Sequence, residues 1–210
     1  MNDFAPWLAT LIAAFAGAWF AFYLQDKKEC RKERNQRVSS INQALFTLAR
    51  QYRALCNMKE DLDAFKDDNL RFVNAPALTT NDSQDIRVKI DNLHFLLESS
   101  NPNLLMEVTL EQERFEMALK AIQLRSDFHI GELQPVFVSL GIKNGVPISL
   151  DEISQKLGPR LVGTLRNQTD QMYSNVYESC GSTLDVLNKL RTFAKQTFPK
   201  DKFIGVASAS

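Results

Sequence analysis

The sequence predicts an all-α protein in which one apolar helix crosses a membrane and continues into a cytoplasmic antiparallel bundle of about four principal helices. Three observations predict it. From Phe4 to Gln25 no side chain is charged, and a helix of that length, at about 1.5 Å per residue, covers a hydrocarbon core of roughly 30 Å. No Pro or Gly falls between Leu24 and Phe65, so nothing breaks that helix as it leaves the bilayer. Downstream, apolar residues recur at spacings of three and four, the period of a helix that buries one face.

The apolar run places Trp7 near one end and Trp19 and Tyr23 near the other, where amphipathic rings favour the membrane–water boundary. Small residues near Ala16 and Gly17 resemble a signal-peptide cleavage site, but no Lys or Arg precedes the run, as a signal peptide requires. Ala9, Ala13, Gly17 and Ala21 are small and four apart. Such a stripe lets helix backbones approach closely, a main driver of association in lipid, so the span is expected to make a homo-oligomer.

Beyond Gln25 the character changes abruptly. Asp26 to Arg37 holds six basic residues, Lys27, Lys28, Arg31, Lys32, Arg34 and Arg37, against three acidic ones, whereas only Asp3 is charged on the other flank. Basic residues beside a span stay on the cytoplasmic side and attract anionic lipid head groups. The expected topology is therefore an amino terminus outside and a carboxyl-terminal domain inside. Cys30, Cys56 and Cys180 are too few and scattered for a disulfide framework or a paired-cysteine zinc site. All three read as reduced, ordinary thiols; for Cys30, beside the span, an inert thiol is the reading, with acylation or an intermolecular bridge as the alternative.

The organisation expected is an anchor over 1–25, a basic juxtamembrane segment over 26–37, a bundle over 38–198 and a flexible tail over 199–210. In the bundle, Val38, Ile41, Leu45, Leu48, Tyr52, Leu55 and Leu62 form an a/d stripe interrupted by Lys59. The stripe suits a partner helix in a bundle or a coiled coil; the helical segments that follow favour the bundle. Polar residues and Pro76 make a loop. A second helix starts near Asn81 or Asp82 and turns Ile86, Ile90, Leu93 and Leu97 inward. Asn101 as N-cap with Pro102 at the first helical position opens a third helix, whose core face is Leu105, Val108, Phe115, Leu119 and Ile122.

Pro135 opens a short helix that stops at Leu140–Gly141; a hairpin turn at Asn144–Gly145 is the alternative for that region. Ser149 and Glu152 have capping-box spacing, and Gly158 ends the helix they start. Pro159 begins a long one with Leu161, Leu165, Gln168, Met172 and Val176 inward. Its face shifts near Gly181 to Leu184, Leu187, Arg191 and Ala194, and Pro199 ends it.

The chemistry-bearing residues are few. Val38 to Ser210 carries 19 basic against 21 acidic residues, which excludes a general nucleic-acid binder. Asp91 with His94, and His129 with Glu132, could each present two ligands on one helical face. A di-metal bundle, however, needs two Glu-x-x-His pairs and two further Glu. The cluster Glu107, Glu111, Glu113 and Glu116 around Arg114 has the pattern of a solvated face. Gly158 to Gly163 lacks the Gly-Lys-Ser/Thr end of a phosphate loop, and no nucleophile elbow is present. The function expected is a membrane-anchored scaffold or regulatory subunit, not an enzyme and without a cofactor, that binds membrane lipid and a protein partner. The alternatives are a membrane-perturbing effector of the toxin or antiviral defence type and, second, a di-metal bundle enzyme.

Overall fold

The computed structural model describes residues 4–80, 85–141 and 149–205, with side chains from Ala13 onward. All secondary structure among the described residues is helical. The helix α1 runs unbroken from Phe4 to Asp63, about 90 Å long at about 1.5 Å per residue, as the lack of Pro and Gly after Leu24 requires. Three more helices of very different length follow it: α2 (Arg71–Asn74), α3 (Asn103–Phe128) and α4 (Gln134–Ser139). The last, α5, covers Leu150–Thr197.

The direction of each member follows from its side-chain bonds to distant segments. Along α1 and α5, Asn42 Nδ2 donates to the Lys202 carbonyl at 3.1 Å and the Tyr173 hydroxyl donates to the Leu62 carbonyl at 2.8 Å, so the two helices are antiparallel. Lys189 with Glu107 and Ser182 with Glu111 set α5 antiparallel to α3 as well. Between α1 and α3 the chain returns as an extended piece and a 3₁₀ helix, Ile90–Glu98. The result is an up-down-up-down helical bundle.

That returning member is where the expected α-helix is corrected. Asn81 and Asp82, its expected start, lie outside the described residues. Ile86 and Val88 are buried on an extended backbone, whose polar groups need partners inside the bundle. Two glutamines provide them: Gln51 Nε2 donates to the Ile86 carbonyl at 2.9 Å, and the Val88 N–H donates to Gln112 Oε1 at 2.8 Å. The two amides also bond each other at 2.8 Å. In the 3₁₀ segment every third residue shares a face, so Leu93 and Leu96 are 0% exposed while Leu97, expected inside at α spacing, is 59% exposed.

On α1 the inward stripe holds, with Ile41, Leu45, Leu48, Leu55 and Leu62 buried and Val38 and Tyr52 half-buried. Gln51 and Met58 fill the interior one position before Tyr52 and Lys59, which the strict repeat would have placed there and which are half-buried. All five expected core residues of α3 are buried. Glu111 is buried too, against the expectation of a solvated face. It accepts from Arg114 Nη1 at 2.6 Å and from the Ser182 hydroxyl at 2.7 Å.

Asn101 does not cap α3: Pro102 holds the cap position and no side chain bonds there. Pro135 stands in the first turn of the short helix α4, as expected, but that helix is continuous with the one before it. α3 passes through one π turn, His129–Leu133, directly into α4. A proline lacks an N–H and crowds the carbonyl four residues before it, and the wider π turn accommodates both. The stop arrives as expected, with Gly141 at φ 66°; Asn144–Gly145 lies outside the described residues.

Ser149 caps α5 by accepting from the Glu152 N–H at 3.2 Å. The chain kinks at Gly158 (φ 77°, ψ 158°), and Pro159 starts the longer arm. Leu165, Met172, Val176, Leu187 and Ala194 are buried, whereas Leu161, Gln168, Leu184 and Arg191 are half-buried and Thr169 and Thr183 lie fully inside.

Candidate functional site

The bundle occupies only the second half of α1. Every side chain from Ala13 to Glu33 is exposed, so α1 leaves the bundle as a bare arm. Phe15 is 70% and Trp19 73% exposed, and Phe20, Phe22, Tyr23 and Leu24 are each at least half exposed. Trp19 and Tyr23, one turn apart, stack with ring centroids 6.4 Å apart. A soluble surface rarely concentrates large apolar side chains this way. Among the described residues no helix is long and apolar enough to cross a membrane; side chains 1–12, which include much of the apolar run with Trp7 and Ala9, lie outside them.

Ala13, Gly17 and Ala21 are exposed along the arm, and a Cβ added at Gly17 would meet nothing within 4 Å. The basic block divides in two. Lys27, Lys28, Arg31 and Lys32 are exposed, whereas Arg34 and Arg37 reach the bundle. Arg34 pairs with Asp201 and lies 5.8 Å from the Phe198 ring centroid. Arg37 pairs with Glu33 at 2.5 Å and lies 5.6 Å from the Phe95 ring centroid.

The Arg34 contacts involve the segment after α5, which was expected to be flexible. Phe198 is buried, Phe203 packs beside it, and the Ile204 N–H donates to Asn42 Oδ1 at 3.0 Å. Residues 198–204 thus clasp α1 where the arm emerges; 206–210 lie outside the described residues.

A second surface went unread in the sequence. Met106, Leu110, Met117 and Leu124 are all at least two-fifths exposed on α3. Their spacings of four, seven and seven put them on one face, opposite the core stripe. Glu113 and Lys120, at the intervening positions, are exposed. The spacing is visible in the sequence, but the stronger inward stripe of the same helix hides it.

His94 Nε2 and Asp91 Oδ1 stand 3.9 Å apart on the surface, and among the described residues no cluster of three or more His, Cys, Asp or Glu is placed to hold a metal ion. His129 is half-buried while Glu132 is exposed. Burial and the neighbouring Arg125 charge push the His129 pKa down to about 4.

Neither a family model, nor a curated protein, nor a solved structure matches the chain.

Proposed function

We propose that the chain is a single-span membrane protein whose cytoplasmic helical bundle binds partner proteins, acting as a scaffold or regulatory subunit. The observation that carries this reading is the exposed aromatic arm continuous with α1. Moving each of its large apolar side chains out of water is worth about 1.5–3 kcal/mol, and a bilayer offers that burial without a second protein. Lys27, Lys28, Arg31 and Lys32, exposed just beyond it, fit lipid head groups and the cytoplasmic orientation. With Phe4 to Asp63 forming one unbroken helix, the span would set the height and direction of the bundle.

The face of α3 bearing Met106, Leu110, Met117 and Leu124 suits an amphipathic helix of a partner, with Glu113 and Lys120 available to select opposite charges. The test has two arms. A reporter that works only in the cytoplasm, fused after Ser210, gives a signal; a signal instead from a reporter that works only outside the cytoplasm refutes the topology. Cross-linking from intact membranes recovers a partner with the native chain and loses it with Leu110→Glu plus Met117→Glu, and equal recovery refutes the α3 surface.

A second reading, a membrane-perturbing effector, is favoured by the open groove at Ala13, Gly17 and Ala21, which nothing in the bundle covers. Depolarisation on expression of the native chain, lost when an unrelated span replaces residues 1–25, selects this reading. Function retained by that chimera selects the scaffold.

A further inference from the structure

Cys56 on α1 and Cys180 on α5 come from positions 124 residues apart, yet their sulfurs lie 3.2 Å from each other. This is thiol-to-thiol contact, made across the seam that joins the arm-bearing helix to α5. Both residues are half-buried, so the sulfurs are held by packing without being sealed from small solutes. Three side chains frame the pair. Tyr52, one turn before Cys56, has its pKa raised chiefly by its hydrogen bond to Cys56. Lys59 lies over the Tyr177 ring, 5.1 Å from its centroid, and its charge favours a thiolate at Cys180. Neither cysteine takes part in the membrane or partner surfaces described above.

We propose that Cys56 and Cys180 are an oxidisable dithiol that closes to a disulfide between α1 and α5 on exposure to hydrogen peroxide and reopens with a thiol reductant. The Cys56 sulfur attacks one peroxide oxygen, the O–O bond breaks, and water leaves with Cys56 as the sulfenic acid. The Cys180 sulfur then displaces the hydroxyl from Cys56, forming the S–S bond. The hydroxyl departs as a second water with the Cys180 proton. Two thiols lose two electrons in all, and one peroxide becomes two waters.

Cys180 is assigned the second role because burial, followed by its hydrogen bond to Cys56, pushes its pKa up to about 12. A poor source of thiolate is a poor first nucleophile, but at contact distance it needs no diffusion to resolve its neighbour. The closed form ties the helix that carries the arm to the helix whose end clasps it, so oxidation holds the bundle shut around α1.

The test uses the full chain in lipid nanodiscs, as Cys30→Ser to remove the exposed thiol. After treatment with hydrogen peroxide and alkylation under denaturing conditions, the expected result is a monomer lacking two hydrogens that takes up no alkyl group. Digestion yields a peptide pair linked through Cys56 and Cys180, and dithiothreitol restores two alkylation sites. Adding Cys180→Ser leaves Cys56 as a sulfenic acid that dimedone traps, with no internal link. The proposal is overturned if both thiols remain alkylatable after peroxide, if they go to sulfinic acids without linking, or if the links form only between chains. Native protein mapped the same way controls for any effect of the Cys30 substitution.

Discussion

Arg125 lies wholly inside the bundle and donates from Nη1 to the Pro76 carbonyl at 2.8 Å. Its other terminal nitrogen donates to the carbonyls of Ala75 and Phe72. These carbonyls belong to the single turn α2 and the residues just past it, where carbonyls without a helical partner need donors. Burial still lowers the Arg125 pKa to about 10, so the guanidinium stays charged at neutral pH. Arg125 therefore staples the 64–80 loop to α3, and Ser126 adds a second staple by accepting from the Leu78 N–H at 3.0 Å.

Arg125→Met keeps much of the volume and removes the donors. With the buried Ala75 and Phe72 carbonyls left unpaired, the expected loss is about 3 kcal/mol, read as a lower urea midpoint. Proteolysis within 64–80 should accelerate in parallel. A variant as stable and as resistant as the native protein would show that the carbonyls do not depend on Arg125.

The depressed pKa of His129 makes stability depend on pH. The folded value is about 4 against an ordinary value of 6.5. The unfolded chain therefore takes up a proton as pH falls through 6.5, while the folded chain does so only near 4. The His129 contribution is fully present above pH 6.5, is lost progressively on acidification, and is gone below about 4. Because the ring is only half-buried, the loss is about 1–2 kcal/mol after discounting for solvent screening. His129→Phe should flatten this part of the profile when urea midpoints are compared at about pH 7 and about pH 4.5. Equal slopes in both proteins would count against it.

Gly158→Ala should cost about 1–3 kcal/mol. The φ of 77° with ψ of 158° is open almost solely to glycine, and nothing lies within 4 Å of an added Cβ, so the penalty comes from the backbone alone. Thermal unfolding followed by far-ultraviolet dichroism measures it. If the variant instead straightens into one uninterrupted helix, the cost falls on the packing of Ile153 and Leu157, whose cluster includes Leu133 and Val162.

Gly17→Ile should weaken self-association of the proposed span in a membrane two-hybrid assay, because the added side chain fills the groove that close helix approach needs. Phe15→Ile, which leaves the groove open, should retain the signal. Equal signals from both variants would remove the small-residue stripe from consideration.

Much of this fold is legible along the chain because its information is local. Spacings of three and four among Ile41, Leu45, Leu48 and Leu55, or among Leu105, Val108, Phe115 and Ile122, place whole helices and their inward faces. Gly158–Pro159 marks the kink by backbone chemistry alone, and the change from apolar to basic at Gln25 marks the arm. Distant partners decided the rest. Residues 86–98 carry a helical pattern yet run extended and then 3₁₀, because Gln51 and Gln112 satisfy the backbone of Ile86 and Val88 from two other helices. The burial of Arg125 depends on a loop some 50 residues earlier. The docking of Phe198 to Ile204 depends on Arg34 and Asn42, and the contact of Cys56 with Cys180 depends on the antiparallel register of α1 and α5. Helical periodicity is a property of neighbours in sequence, whereas a side chain that completes another segment's hydrogen bonds becomes visible only once the chain has folded.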